Sequence, residues 1–197
     1  MHSFLLSSEQ DLANFLKHEK FEKIFILSGK KSYVGSGAKK ILNKYLKNKI
    51  TKYYFKCSPY PEISELKEII FSLRKFSPDL IIAVGGGSVL DYAKMANVIE
   101  NTENLVKQII NSSYLIKKKF TQLVAIPTTA GSGAETTSSA VIYIDKIKYS
   151  LESEIIKPDY FFLIPEIVIN ATKKIKSSSG FDTIAQAVES LISKKST

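Results

Sequence analysis

The sequence predicts an α/β fold in which helices cover both faces of a parallel sheet. Two observations lead to this prediction. Apolar segments of strand length alternate with segments of helical spacing, in the order strand, helix, strand, helix, strand, helix. The third strand, residues 80–84, is apolar throughout, which is typical of a strand buried on both faces of a parallel sheet. Three glycines, Gly85, Gly86 and Gly87, follow it directly.

The elements before this strand are marked by local patterns. Ser8 and Asp11 have the spacing of a helix cap, which predicts a short first helix. The segments that follow are a strand at 23–27, a helix at 37–47, a strand rich in Tyr, Thr and Phe at 50–56, and a turn at 58–61. A helix then carries an apolar stripe made of Ile63, Leu66, Ile69, Ile70 and Leu73. Residues 77–79 break it.

The elements after the glycines are less regular. A polar stretch of uncertain structure extends to residue 119 and precedes a buried strand. We expect strands at 122–126 and 159–164, a hairpin of 140–144 and 148–151 at the edge of the sheet, and an apolar helix at 181–192. Pro165 begins a change of composition, and the residues at 177–180, Ser-Ser-Ser-Gly, are expected to precede the final helix.

The glycine turn is a candidate anion site. Ser88 and Asp91 fit a capping pattern at the start of the next helix. A strand, a glycine turn and a helix N-terminus together offer unpaired N–H groups and a favourable dipole to a phosphate. The loop at 127–135 adds hydroxyl groups and glycines at a second strand end, where ligands of parallel sheets bind. The alternatives are a sharp turn that binds nothing and an ordinary polar loop.

The formal net charge of +9 admits three interpretations. The most specific is a basic nucleic-acid-binding domain. The lysines are scattered along helix faces, however, and the densest runs, 117–119 and 173–176, contain no interleaved aromatic residues. We therefore favour solvated helix faces and no nucleic-acid partner. A polyanionic or phosphorylated small substrate is the third interpretation.

Several classes of protein are disfavoured by composition. The single cysteine, Cys57, cannot form an internal disulfide and fits a reducing compartment. No apolar run approaches the roughly 20 residues of a membrane helix, and the first residues lack the features of a signal peptide. We expect a cytoplasmic protein without a membrane partner. The two histidines, His2 and His18, disfavour a Ser–His–Asp triad or a histidine-rich metal site. Residues 29–32 imitate a P-loop, but Ile24 occupies the position of its first glycine.

Three motifs together resemble the iron-containing, or group III, alcohol dehydrogenase family. They are GGGSVLDYAK at 85–94, PTTAGSGAE at 127–135 and GFDTIAQAVE at 180–189. Their order and spacing make the resemblance specific, and it covers the whole chain. Within the family, the segments at 28–32, 148–151 and 157–160 look most like the phosphonoacetaldehyde reductase branch.

The resemblance implies a Rossmann-like dinucleotide-binding domain at 1–164 and the beginning of a truncated, all-helical metal-binding domain at 165–197. It implies NAD(P)(H) as cofactor, a divalent metal (Fe²⁺ or Zn²⁺) and a short aldehyde or alcohol as substrate, and it leaves a homo-oligomer open. Gly86, Gly87 and Ser88 would hold the pyrophosphate, and Asp91 would close the turn. Thr128, Thr129 and Ser132 would line the nicotinamide and ribose side, and Lys148 would approach a ribose. The implied cofactor-binding residues are Gly29, Gly85, Gly86, Gly87, Ser88, Asp91, Thr128, Thr129, Ser132 and Lys148.

The resemblance also implies metal ligands on the final helix. Asp182 matches the family's first ligand, and Gln186 stands one turn later, where the family usually has histidine. An amide oxygen binds Fe²⁺ or Zn²⁺ more weakly than imidazole does. Three interpretations stay open: a branch that uses glutamine and binds metal less tightly, a decayed site, or a glutamine that pairs with internal polar groups.

Two further expectations follow from the resemblance. The family's first strand often ends in Asp, which binds the adenosine ribose, whereas Gly29 beside Lys30 and Lys31 offers space and positive charge, so that we favour NADP(H). The family's remaining ligands are histidines far downstream, and the final helix would expose an apolar stripe. The hypotheses are therefore an incomplete copy of an alcohol dehydrogenase or aldehyde reductase, an inactive remnant that binds a nucleotide or partner, and a basic nucleic-acid-binding domain.

Overall fold

The computed structural model describes residues 4–6 and 8–193, with side chains from residue 8 onward, and it confirms the α/β fold. The strands are β1 (Phe4–Leu6), β2 (Lys23–Gly29), β3 (Ile50–Lys56), β4 (Leu80–Gly85), β5 (Gln122–Pro127), β6 (Ser139–Ile144), β7 (Ile147–Glu152) and β8 (Tyr160–Phe162). The helices are α1 (Glu9–His18), α2 (Lys30–Gly35), α3 (Ala38–Tyr45), α4 (Ile63–Phe76), α5 (Gly87–Val98), α6 (Leu105–Ile110), α7 (Pro165–Ile169) and α8 (Lys173–Ile192). A short 3₁₀ helix spans Glu154–Ile156.

The main sheet has six strands in the order β1-β8-β5-β4-β2-β3, and all neighbours are parallel. The chain passes from β2 to β3 on one side and then returns to place β4 on the other side of β2. The strand order therefore reverses between β2 and β4. A parallel sheet opens a crevice at the carboxyl ends of the strands at such a switch point.

Strand β4 is buried on both faces, as its continuous apolar sequence predicts. Its residues Ile81 and Ala83 belong to the core beneath α4 and α5, whereas Ile82 and Val84 belong to the core beneath α1 and α3. The alternation follows from the two-residue period of a strand. Each fully buried Ile or Val contributes roughly 1.5–3 kcal/mol to folding, so β4 fixes the position of the turn that follows it.

Strands β6 and β7 form a separate antiparallel sheet, so the predicted hairpin is present but its predicted place at the edge of the main sheet is wrong. Buried and partly exposed residues alternate along β6, which suits a sheet with one covered face. Ala140 and Ile142 pack in the core that contains α5. At the edge beyond β8, the pairing positions are taken by β1.

Two capping predictions have opposite outcomes. The Ser8 hydroxyl accepts from the Asp11 N–H at 3.1 Å, which confirms the cap of α1. The capping pattern of Ser88 and Asp91 is wrong, because Gly86 is the N-cap of α5 and its carbonyl accepts from Leu90 N at 3.3 Å. Ser88 already lies within the first turn, and the Asp91 carboxylate accepts from the backbone of β6 instead.

Helix α8 begins at Lys173, eight residues before the predicted start. The Thr172 hydroxyl accepts from Ile175 N at 3.3 Å and caps the helix. The Ser179 hydroxyl donates to the Ile175 carbonyl at 2.8 Å, so the serine-rich segment continues the helix. No residue of α8 is buried, and its apolar residues are exposed, as expected. None of the helices in the described ranges has the length and apolar character needed to cross a membrane.

Candidate functional site

A cleft of about 810 Å³ opens at the carboxyl ends of β2, β3, β4 and β5. It lies at the switch point between β2 and β4. Its lining residues include Gly29, Gly86, Ser88, Thr128 and Thr129, five of the ten predicted cofactor-binding residues. These residues come from three strand ends, so the sheet brings together segments that are far apart in the sequence.

The glycine turn packs too tightly for side chains. A Cβ atom at Gly85 would lie 2.5 Å from Val89 Cγ2, and one at Gly87 would lie 2.9 Å from the Ser132 hydroxyl. Gly85 itself is buried at the end of β4, where its carbonyl accepts from Thr128 N at 3.0 Å. The N–H groups of the first helical turn have no carbonyl within the helix to reach. The Val89 N–H donates to the Gly86 carbonyl at 3.0 Å, which leaves the N–H groups of Gly87 and Ser88 for a ligand at the N-terminus of α5, where the helix dipole favours negative charge.

Hydroxyl groups border this turn from the neighbouring strand end. A Cβ atom at Gly86 would lie 3.2 Å from Thr129 Oγ1, and Ser132 stands beside Gly87 at the distance given above. Thr128 is buried at the base of the loop, and Thr129 lines the cleft. The loop thus presents hydroxyl donors next to backbone donors, a combination that suits the oxygen atoms of a phosphate or a ribose.

One end of the cleft is basic. Lys30 and Lys31 begin helix α2 directly after Gly29, and both line the cleft with Lys56 from the end of β3. Burial lowers the pKa of Lys56. The paired positions of Gly29 and Lys56 are neighbours in the sheet. Three lysines at the ends of two adjacent strands make this end of the cleft attractive to an anion.

The other five predicted residues do not line the cleft: Gly85, Gly87 and Ser132 lie beside it, and Asp91 and Lys148 lie at the β6–β7 hairpin. Asp91 Oδ2 accepts from Val141 N at 3.3 Å, and this hydrogen bond connects the β6–β7 hairpin to α5. The fully buried Lys94 also contacts the hairpin region. Its ammonium donates to the Ser139 carbonyl and to the Thr137 hydroxyl, each at 2.8 Å. Burial raises the pKa of Asp91 to about 6, although the charges of Lys94 and Lys148 oppose the shift. Burial lowers the pKa of Lys94 to about 8.

Asp182 and Gln186 lie together on one face of α8, as the spacing predicts. The Gln186 amide donates to Asp182 Oδ2 at 2.9 Å, and both side chains are exposed. Within residues 4–6 and 8–193, no three His, Cys, Asp or Glu side chains cluster as a metal site would require. His2 lies outside these ranges. The hydrogen bond uses the amide nitrogen of Gln186, and the two side chains by themselves offer fewer than the three protein ligands that a catalytic Zn²⁺ site uses.

The cleft also contains residues that the sequence analysis did not assign. Cys57 and Pro59 follow β3, and Asn170 and Thr172 lie in the connection between α7 and α8. The rule that ligands bind at strand ends points to the residues after β3. No sequence pattern identifies Asn170 as a cleft residue, because its position depends on a contact with a distant part of the chain. Its side-chain amide donates to the Ser36 carbonyl at 3.3 Å.

The switch point with its glycine turn defines the class of this protein, a Rossmann-like α/β protein with a ligand cleft at the strand ends. Residues 5–165 match the family model of the iron-containing alcohol dehydrogenases, and the chain belongs to this family. The resemblance inferred from the three motifs is thereby confirmed.

Individual relatives agree with this membership. An alcohol dehydrogenase of Thermococcus barophilus is 33% identical over 135 residues, which are 66% of this chain and 36% of the relative. The 1-propanol dehydrogenase PduQ of Citrobacter freundii is 34% identical over 140 residues, 70% of this chain and 34% of the relative. The structure of an iron-containing alcohol dehydrogenase from Thermococcus thioreducens superposes with a TM-score of 0.85 at 24% identity, covering 99% of this chain and 54% of that one. The chain thus spans about half the length of that solved structure.

Proposed function

We propose that the cleft binds NAD(P)(H), with NADP(H) preferred, and that this chain is the cofactor-binding part of an alcohol dehydrogenase or aldehyde reductase. The observation that carries the proposal is the glycine turn between β4 and α5, because Gly86 and Ser88 line the cleft beside Thr129. When bound, NAD(P)H would supply the hydride that reduces an aldehyde, and NAD(P)⁺ would accept the hydride from an alcohol.

Each part of the cleft has a role in this proposal. The N–H groups of Gly87 and Ser88 donate to the pyrophosphate at the N-terminus of α5. The hydroxyls of Thr129 and Ser132 hold the ribose on the nicotinamide side. The absence of a side chain at Gly29 leaves space for the adenosine ribose. Asp91 lies outside the cleft, and its role is to hold the β6–β7 hairpin in position against α5. Lys148 belongs to that hairpin and lies near Asp91.

The basic end of the cleft supports the preference for NADP(H). A 2′-phosphate adds about two negative charges to the adenosine ribose, and Lys30 and Lys31 lie where the turn between β2 and α2 meets the cleft. A carboxylate at this strand end would repel that phosphate, whereas Gly29 does not. The lysines therefore favour NADP(H) over NAD(H) by charge.

The proposed substrate is a short aldehyde or alcohol. The names of the relatives from Thermococcus barophilus and Citrobacter freundii support this class. A phosphonate-bearing aldehyde is the finer proposal, from the branch that the segments at 28–32 and 148–151 resemble. We assign cofactor binding to residues 1–164 and treat 165–197 as the start of a helical unit.

A second candidate function is nucleotide binding without turnover. It is favoured by one observation, the hydrogen bond from the Gln186 amide nitrogen to Asp182 Oδ2, which engages one carboxylate oxygen of the proposed first metal ligand. The described residues do not complete a ligand set, so we route no step of the reaction through a metal.

Thermal unfolding with NADPH and with NADH tests the proposal. We expect NADPH to raise the melting temperature more than NADH at equal concentration, because a ligand that binds only the folded state stabilises it. Gly87→Ala should remove the shift, since its Cβ fills the turn, while Gly180→Ala, an open position on α8, should keep it. No shift with either nucleotide would remove the cofactor proposal. Oxidation of NADPH by short aldehydes would exclude the second candidate.

A further inference from the structure

The turn that follows β3 forms one wall of the cleft. Cys57 and Pro59 line the cleft, and we call residues 57–59 the β3 wall. Gly29 pairs with Lys56 in the sheet, so the β3 wall begins directly beside the strand end at Gly29. Strand β2 lies between β4 and β3. A ligand that extends from the glycine turn across Gly29 therefore meets the β3 wall next.

One buried carboxylate holds this wall. Glu65 on α4 is 6% exposed, and its two oxygens accept from the backbone N–H groups of Cys57, at 2.6 Å, and of Ser58, at 3.1 Å. The Tyr92 hydroxyl on α5 donates to the same carboxylate at 2.8 Å. Hydrogen bonds to an ionised acceptor are roughly twice as strong as those between neutral groups. The Glu65 side chain thus fixes the direction in which the backbone leaves β3.

The remainder of the turn is fixed from two further sides. The Tyr92 oxygen accepts from Glu62 N at 2.7 Å, and the Pro61 carbonyl accepts from Tyr143 N on β6, also at 2.7 Å. These bonds join the turn to α5 and to the β6–β7 hairpin. The β3 wall is therefore held in place by the protein itself, and such preorganisation lowers the entropic cost of binding a ligand.

We propose that Glu65 is a positioning residue for the adenosine half of the cofactor and that it acts through the β3 wall. This inference rests on the proposed function, in which the pyrophosphate lies at the start of α5 and Gly29 leaves space for the adenosine ribose. The adenine base is then the part of the cofactor that reaches Cys57 and Pro59. Glu65 itself does not line the cleft, and its carboxylate binds the wall from behind.

The donors around residue 65 require a carboxylate rather than an amide. Three donors point at the two oxygens of Glu65. A carboxylate accepts at both oxygens, whereas a glutamine amide has one oxygen and an NH₂ group that only donates. In Glu65→Gln, the N–H group of Cys57 or that of Ser58 therefore faces another donor. The two side chains are nearly equal in size, so the wall must move while the packing of α4 is kept.

The nucleotide affinity of Glu65→Gln tests the positioning role. Isothermal titration with NADPH, and with 2′,5′-ADP as its adenosine half alone, should give affinities about tenfold weaker than those of the wild type. Glu68→Gln is the matched control, because it makes the same change on the same helix at an exposed side chain that accepts from Tyr54. It should bind both nucleotides like the wild type. A merely structural role of Glu65 would lower the melting temperature but leave the affinity of the folded protein unchanged.

A second variant decides the question if Glu65→Gln does not fold. Tyr92→Phe keeps the carboxylate and its bonds to the two N–H groups, so both affinities should fall only about threefold. Wild-type affinity in the folded variants would overturn the positioning role and leave the cofactor proposal intact. A wild type that binds neither NADPH nor 2′,5′-ADP would instead overturn the cofactor proposal and this inference together.

Two further measurements examine the β3 wall directly. Without nucleotide, the amide hydrogens of residues 57–58 should exchange about tenfold faster in Glu65→Gln, because one of them loses its acceptor, while those of β4 exchange at the wild-type rate. Saturating 2′,5′-ADP should slow the alkylation of wild-type Cys57, the single cysteine of the chain and an exposed one, by iodoacetamide. Unchanged exchange in the variant, or alkylation that the nucleotide does not slow, would contradict the proposal.

Discussion

The hydroxyl of Tyr92 on α5 donates to the carboxylate of Glu65 on α4 in a buried hydrogen bond of 2.8 Å. The same carboxylate accepts from the backbone N–H groups of Cys57, at 2.6 Å, and of Ser58, at 3.1 Å. Burial pushes the pKa of Glu65 upward, but these hydrogen bonds outweigh it and lower the pKa. One buried pair therefore connects the helix that starts at the glycine turn to the cleft wall that follows β3.

Tyr92→Phe should destabilise the fold by about 1–3 kcal/mol, because the Glu62 N–H, 2.7 Å from the Tyr92 oxygen, loses its buried acceptor. Urea unfolding measures this loss. Tyr54→Phe is the control, since Tyr54 donates to Glu68 in an exposed position, and it should change stability by less than about 0.5 kcal/mol. Equal stability of Tyr92→Phe and wild type would contradict the positioning role of the pair.

Gly85→Ala should be among the most damaging substitutions in the chain. The new methyl group would lie 2.5 Å from Val89 Cγ2 and 2.6 Å from Val89 Cβ, so that α5 must shift. We expect a loss of about 1–3 kcal/mol, as for other overpacked sites, together with loss of nucleotide binding. Gly180→Ala should instead stabilise α8 by about 0.5–1 kcal/mol. The melting temperature should fall for Gly85→Ala and rise for Gly180→Ala. If both variants change the melting temperature in the same direction, close packing is not the reason that residue 85 is glycine.

Asp91, which is partly buried, and Lys94, which is fully buried, should shape the dependence of stability on pH. Between about pH 4 and 6, Asp91 keeps its proton in the folded state, where its pKa is about 6, and has lost it in the unfolded state. The free energy of unfolding should therefore fall as the pH rises through this range, by on the order of 2 kcal/mol. Lys94, with a folded pKa of about 8, has the opposite effect, and stability should recover as the pH rises above that value.

Denaturant unfolding of Asp91→Asn across this range isolates the first effect. The variant should lack the fall between about pH 4 and 6. Asp145→Asn, an exposed change in the turn of the same hairpin, should keep it. A wild-type curve that runs parallel to that of Asp91→Asn would show that burial does not raise the pKa of Asp91.

Replacement of both Lys30 and Lys31 by alanine should weaken NADPH binding about tenfold and NADH binding less than about twofold, because only NADPH carries the 2′-phosphate. The double replacement of Lys39 and Lys40, exposed residues of α3 that are not part of the cleft, removes the same charge and should leave both affinities unchanged. Isothermal titration gives the four constants. An equal loss for both nucleotides would indicate a general effect of charge rather than recognition of the phosphate.

The centre of the fold was predictable because its signals are local. Burial of β4 on both faces requires an apolar run, and the close packing of Gly85 against Val89 requires a residue without a side chain. Both requirements are visible within ten residues of sequence. The strand-end rule then brings Gly29 and Thr129 to the same cleft without further information.

What could not be predicted depends on distant contacts. Asp91 fits a capping pattern in the sequence, but its partner in the structure is Val141 N, fifty residues away. Asn170 reaches the Ser36 carbonyl, 134 residues away in the sequence. The three residues of β1 are too few for a strand pattern, and their pairing with β8 alone makes them a strand. The preference against nucleic acid and the cytoplasmic location stay predictions.

The pairing of β1 with β8 has a consequence for biosynthesis. Phe4 is paired with Tyr160 and Leu6 with Phe162, so β1 leaves the ribosome well before the strand with which it pairs. At roughly 5–20 residues per second, the nascent chain holds this strand unpaired for on the order of 10 s. The middle of the sheet, β2 to β5, can assemble during that interval, and β1 pairs at the edge afterwards. Translation speed and chaperone capture should therefore affect this edge before any other part of the sheet.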